Sequence, residues 1–302
     1  MRRGGGVTKV YGVESAQESV AVVAWTAQPT NARLVEGWRR LGIRAELLCP
    51  ADAYRLLVPG DVAVVRLDVT RTLDGIEPGL YEMAALERRG VRLVNRPRAL
   101  RAAHDKLAAA RRFAAAGIAH PRTMHRTRLD EVRALELPLV LKPRFGSWGQ
   151  DVMLCRDAGE LEESLAIIGQ RTWFRRHGVL IQEVVPAFGY DTRVVVAAGR
   201  VVGAGRREAA PGEWRTNVAL GGRFISLPPT EEEAALAIDA ARAIDAELVG
   251  VDLLPKSENE SVVIEVNGAV DFCEDEESLP GRSIYADTAA ALALGHTQLV
   301  SA

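Results

Sequence analysis

Gly250-Val-Asp-Leu-Leu254 and Val262-Val-Ile-Glu-Val-Asn-Gly268 decide how this chain is read. Both segments have the apolar, β-branched composition of buried strands, yet both carry oxygen ligands. Glu265 and Asn267 stand two apart, so on a strand their side chains share a face. Asp252 interrupts an otherwise apolar run. Lys256-Ser-Glu-Asn-Glu-Ser261 between them reads as an exposed loop, so the strands can pair as a hairpin. That pairing gathers two carboxylates and an amide oxygen. Buried carboxylates side by side need a cation or a proton in compensation. Magnesium, which takes oxygen ligands and shares them with phosphates, suits such a set. The bland alternative is a solvated hairpin with incidental acids.

Working outward, the 302 residues are ample for two or three domains. A net charge of −2 gives no reason to expect a nucleic-acid or membrane surface, and no apolar run is long enough to span a bilayer. Cys49, Cys155 and Cys273 are far apart and odd in number, which points to a reducing cytoplasm rather than a disulfide framework. Residues 1–18 read as a flexible N-terminus without a secretory signal. Of 38 basic residues only Lys9, Lys106, Lys142 and Lys256 are lysines, so each retained lysine stands out from the arginine background.

Residues 19–96 alternate strand and helix and are expected to form a small parallel sheet covered by helices, an α/β domain without G-x-G-x-x-G. A single long helix is expected to begin at Pro97 and stop before Gly117, with Asp105-Lys106 inside it. It opens a central segment, 97–179, and a mostly β segment follows over 180–302.

Lys142 ends an apolar strand just before Gly146-Ser-Trp-Gly149, a loop whose glycines let backbone amides approach an anion. An ordinary turn with a snorkelling lysine is the competing reading. Gln182-Glu-Val184 can present backbone to an adenine edge, and Asp191 can meet a ribose. Arg193, Arg206, Arg207 and Arg215 cluster around one hairpin. Arg206 and Arg207 point to opposite faces, so at most one joins Arg193. The five histidines lack metal-ligand spacing, and no serine or cysteine nucleophile constellation stands out.

The order of these motifs resembles the ATP-grasp superfamily, and within it the RimK-like carboxylate–amine ligases (the LysX-like and alpha-L-glutamate ligase branches). The resemblance rests on Asp105-Lys106, Val140-Leu-Lys-Pro143 with Gly146-Ser-Trp-Gly149, Gln182-Glu183, Gly189-Tyr-Asp-Thr-Arg193, Trp214-Arg-Thr-Asn217 with Gly221-Gly222, Gly250-Val-Asp252 and Glu265-Val-Asn267. It implies an ATP-grasp fold behind a Rossmann-like pre-ATP-grasp domain. It implies ATP contacts at Lys106, Lys142, Gly146, Ser147, Trp148, Gly149, Gln182, Glu183, Val184, Asp191, Arg206 and Asn217. Catalytic roles fall to Arg193 and Arg215, and two magnesium ions, replaceable by manganese, to Asp252, Glu265 and Asn267.

The implied reaction joins an amino acid to a carboxylate of a small molecule, peptide or carrier-protein C-terminus through an acyl phosphate. The implied assembly is a cytoplasmic homodimer or homotetramer, with no nucleic acid or membrane partner. A kinase of the same fold and a non-catalytic nucleotide-binding module are the alternatives. Leu220 stands where many relatives carry arginine before Gly221-Gly222, and Glu274-Asp-Glu-Glu277 matches neither branch.

Overall fold

Val20–Val23 (β1) and Val62–Val65 (β3) each read Val-Ala-Val-Val, valine-rich runs buried on both faces, the pattern of an inner parallel strand. In the computed structural model they are neighbours in a sheet ordered β2-β1-β3-β4, all parallel, with β2 at Ala45–Leu48 and β4 at Arg92–Val94. The connecting helices are α1 (Pro29–Arg40), α2 (Pro50–Leu56) and α3 (Leu80–Arg88). The structure describes residues 19–26, 28–186, 188–257, 260–272 and 277–295. The expected flexible N-terminus, Lys9, Cys273, most of the acidic stretch 274–277 and His296 lie outside the described residues.

The long helix expected from Pro97 is two helices, α4 (Pro97–His104) and α5 (Lys106–Ala116). Asp105 breaks it. Its carboxylate accepts the amides of Leu107 and Ala108, a cap that competes with continuing the helix. Arg144 grips the same carboxylate through two nitrogens. The break places Lys106 at the first position of α5.

The central sheet is ordered β5-β8-β6-β7 and antiparallel throughout, from Thr123–Arg126 (β5), Leu139–Pro143 (β6), Met153–Cys155 (β7) and Val179–Glu183 (β8). Helices α6 (Leu129–Arg133), α7 (Ala158–Gln170) and α8 (Thr172–His177) accompany it. The boundary expected at 179/180 cuts into β8, whose residues pair with β5 and β6. Leu139, Leu141, Val179, Ile181 and Trp173 fill the helix-covered side. Val140 and Lys142, one residue out of phase, project from the other face.

The third sheet is ordered β11-β10-β9-β12-β13, from Tyr190–Ala197 (β9), Arg200–Glu208 (β10), Arg223–Ser226 (β11), Leu248–Pro255 (β12) and Ser261–Asn267 (β13). The opening hairpin is β12 and β13, antiparallel as expected, with Asp252 opposite Glu265 and Gly250 opposite Asn267. Val194, Val196, Val251 and Leu253 pack one face under α9 (Glu231–Ala243) and α5. The other face is divided. Val195, Ala197 and Leu248 continue into the core of the first sheet together with α1 and α10 (Ile284–Ala291). The remainder, from Asp191 to Asn267, is polar and looks toward Lys142.

Buried polar side chains join the first sheet to the third. Asn95 accepts the amides of Glu247 and Leu248 and donates to the carbonyls of Leu248 and Gly268. Arg66, 4% exposed, donates to Asn31 and to the carbonyl of Val270. The third-sheet loop at 269–271 is thereby fixed against the N-terminal domain.

Candidate active site

A cleft of about 170 Å³ opens between the central and third sheets. Its inner part is apolar: Val140, Val152, Leu154, Leu254 and Ile264 form a flat slot. Glu183, Val184 and Val185 edge that slot. The Glu183 carboxylate accepts the amide of Arg122, and buried Gln182 donates to Thr123. An apolar slot with backbone at its rim suits a planar heterocycle.

The outer part is cationic. Lys142 is 4% exposed, and its ammonium makes no hydrogen bond or ion pair with the described residues. Burial pushes its ammonium down to about 8; the Glu265 charge opposes this and Lys106 adds to it. An uncompensated buried ammonium is costly, and it becomes favourable when an anion arrives. Lys106 donates to the Gly146 carbonyl at 2.6 Å and pairs with Glu265 at 3.0 Å.

The Gly146–Gly149 loop lies over this outer part. Arg215 donates to the Gly149 carbonyl at 3.0 Å and is itself paired to Glu213. Those contacts hold the Glu213 carboxyl down near 2. Gly149 has φ +69°, and a Cβ there would come 2.6 Å from Asn217 Oδ1. Only glycine fits both demands. Within the loop Ser147 is half-buried and turns its hydroxyl toward Asp68, while Trp148 is exposed. Leu220 packs near Gly149 and puts an apolar group where an arginine would add charge.

Register settles the arginines. Arg207 lies opposite Asp191, and Arg193 opposite Asp252, so all four share the site face. Arg207 grips Asp191 through Nε and Nη2 and reaches Asp252 at 2.9 Å. Arg193 holds Asp252 through Nε and, at 3.0 Å, Nη2. Burial would raise the Asp252 carboxyl, but the two guanidiniums outweigh it and hold it well below the usual carboxylate range. A Cβ at Gly250 would meet Arg193 at 3.2 Å and Val270 at 2.4 Å, so the small residue gives the guanidinium its path.

Arg206 is therefore a correction. It projects from the opposite face and stacks on Tyr190 at 3.9 Å, away from the cleft. The site arginine is Arg207, its neighbour. Asp191 does line the cleft, but Arg207 holds both its oxygens, in competition with the expected ribose contact.

Asp252, Glu265 and Asn267 come together as expected from the hairpin. Asn267 donates to Asp252 Oδ2 at 3.3 Å, which leaves its amide oxygen for a ligand. Among the described residues no group of three or more histidine, cysteine and acidic side chains is arranged to hold a metal. The candidate set is instead two carboxylates and an amide oxygen, hard donors that fit a hard divalent cation beside phosphates. Asp252 would have to exchange part of its guanidinium contacts to join it.

A second cavity, about 280 Å³, adjoins the cleft and shares Ser147, Arg207, Asn217 and Glu265 with it. Its far wall comes from the N-terminal domain and includes Arg33, Asp68 and His104. Arg33 and Asp68 carry no signal in the sequence reading, His104 counts there only among histidines without ligand spacing, and the ATP contact expected from the arginine cluster falls on Arg206 rather than Arg207. A strict two-residue alternation from Asp191 and Arg193 could have found Arg207, given the hairpin register.

The comparisons agree with this geometry. Residues 103–282 match the RimK-like ATP-grasp domain. Human beta-citrylglutamate synthase B is 32% identical over 217 residues, covering 68% of this chain and 55% of that protein. A probable alpha-L-glutamate ligase of Pseudomonas aeruginosa is 32% identical over 212 residues, covering 68% of each chain. The crystal structure of the D-cycloserine synthetase DcsG superposes with a TM-score of 0.70 at 20% identity, covering 91% of this chain and 98% of that one. The chain spans about half the length of several relatives that it matches. With the domain match covering more than half of its length, this chain belongs to the RimK-like ATP-grasp family.

Proposed function

We propose that this chain is an ATP-dependent carboxylate–amine ligase that forms an amide through an acyl phosphate and releases ADP. The observation that carries the reading is Lys142, a buried ammonium that forms no ion pair with the described residues, set between an apolar slot and a glycine-rich loop. The slot takes the adenine. Lys142 and Lys106 take phosphate oxygens, and the loop at Ser147 and Gly149 covers them. Magnesium, held by Asp252, Glu265 and Asn267, would supply charge neutralisation at the phosphates; two ions, or manganese, are compatible with that donor set.

The acid substrate lies where the two cavities meet, near Arg193, Arg215 and Asn217. Its carboxylate oxygen takes the terminal phosphoryl group, and ADP leaves. An amine nitrogen then bonds the acyl carbon, the carbon–oxygen bond to phosphate breaks, and inorganic phosphate departs. The lysines and arginines lower the repulsion between two anions that must touch. The closed loop keeps water from the acyl phosphate. Two relatives are named for glutamate products or ligation, which supports an amino acid as one partner. The other is a small-molecule, peptide or carrier-protein carboxylate.

The test is ADP release from ATP across a panel of carboxylic acids with hydroxylamine as trapping amine. Acid-dependent ADP with the matching hydroxamate is expected. ADP release with phosphate retained on the acid would favour a kinase instead, and no ADP release with any acid would refute turnover.

A further inference from the structure

The second cavity holds groups that the phosphoryl chemistry leaves unused. Asp68 follows β3 in the N-terminal domain and faces the cavity shared with Ser147 and Asn217. Its Oδ1 accepts the Val69 amide, with Ser147 Oγ 3.4 Å away, while its Oδ2 accepts no hydrogen bond from the described residues. Among the described residues no lysine or arginine lies within ion-pair distance of it, although the buried Arg66 guanidinium feels its charge. Within ion-pair distance stands His104, whose Nδ1 lies 3.9 Å off. His104 is 4% exposed, and its Nε2 is buried without a hydrogen-bond partner. Burial lowers its pKa below the ordinary histidine value, so it brings no competing charge. Glu77 adds a second negative group behind Asp68, accepting the Asp68 amide at 3.0 Å. Arg33, on α1, lines the same cavity, is exposed and makes no ion pair with a described residue.

We propose that this cavity docks the amine substrate as an amino acid, with Asp68 receiving its ammonium and Arg33 its carboxylate. The inference rests on the ligase reading. Every other cation in the cavity wall is already matched: Arg193 and Arg207 to Asp252. An ammonium entering from solvent therefore meets one uncommitted carboxylate, and a carboxylate meets one uncommitted guanidinium. The shared wall at Ser147, Asn217 and Glu265 puts the docked nitrogen beside the site of acyl-phosphate formation. One proton passes from the ammonium to Asp68 and on to water. The nitrogen lone pair then bonds the acyl carbon, the bond to phosphate breaks, and the second proton leaves on inorganic phosphate. Asp68 is a docking residue that touches the nucleophile; His104, buried beside it, adds no cation that would compete for its carboxylate.

The experiment compares two amines on the same acid. Hydroxylamine is uncharged at neutral pH and needs no ammonium site, whereas amino acids do. Native enzyme, Asp68→Asn and Arg33→Gln are each given ATP, the acid found by the hydroxamate screen, and either hydroxylamine or the twenty amino acids in turn. Each substitution is expected to lower the ratio of amino-acid amide to hydroxamate by about 10- to 100-fold, through KM for the amino acid, as loss of a charged hydrogen bond would. A proportional fall of both products makes Asp68 merely structural and overturns the inference. So does native enzyme that forms hydroxamate but accepts no amino acid. Native enzyme that forms no hydroxamate overturns the ligase reading itself, and the docking inference with it.

Discussion

Replacing Lys142 by methionine should make the folded protein more stable and at the same time unable to hold ATP. The structure gives the size of both effects. The buried ammonium loses its proton near 8 instead of 10.5. At about 1.4 kcal/mol per pH unit, its burial costs the apo protein about 3 kcal/mol at neutral pH. Methionine keeps the unbranched stem in its packing and removes the charge, so most of that cost should be regained. For a chain of this length the gain corresponds to about 5 °C in Tm. The dependence on pH has a definite sign. Between 8 and 10.5 the unfolded chain still carries the lysine proton and the folded chain does not, so native stability climbs with pH. The advantage of the variant is full below pH 8 and fades toward 10.5. Thermal melts of both proteins at several pH values, with and without ATP, measure this. ATP should raise the melting temperature of the native protein and leave the variant unmoved. A variant less stable than native at pH 7, or one stabilised equally at every pH, would refute the reasoning.

Other perturbations separate the site from its surroundings. Arg207→Ala leaves Asp191 and Asp252 buried with fewer partners and should cost about 3–5 kcal/mol in chemical denaturation. Arg206→Ala, on the opposite face, should lose only the stacking on Tyr190, about 0.5–1 kcal/mol, with ATP affinity unchanged in calorimetry. Gly149→Ala forces a Cβ against Asn217 at a positive φ and should lower turnover about 100-fold with circular dichroism unchanged. Chelation of divalent metal should stop ADP release and added magnesium restore it, whereas Asp252→Asn should respond to neither, as steady-state assays would show.

Much of this was legible in the chain itself, for reasons that differ from residue to residue. The β12–β13 hairpin announced itself because polar residues at a two-residue spacing are conspicuous in valine-rich strands. Lys142 stood out because lysine is scarce here. The break at Asp105 was hidden because alanines on both sides sustain a helical pattern, and the competing cap is completed by Arg144, which follows β6 far along the chain. Arg206 and Arg207 are equivalent on paper; only pairing with β9 assigns one to each face. Asp68, His104 and Arg33 follow no local pattern. They meet the site through the docking of one sheet on another, which no short stretch of sequence encodes.

The scarcity of lysine bears on Lys106 in a different way. An ammonium has three donors arranged as a tripod. One is directed to the Gly146 carbonyl and one to Glu265, so a third is free for a phosphate oxygen. A single point charge can thus fasten the covering loop, the acidic hairpin and the incoming nucleotide at one junction. A planar guanidinium sends its donors out in one plane and cannot span three partners in different directions. An ammonium at position 106 can join these three parts without their having to lie in one plane.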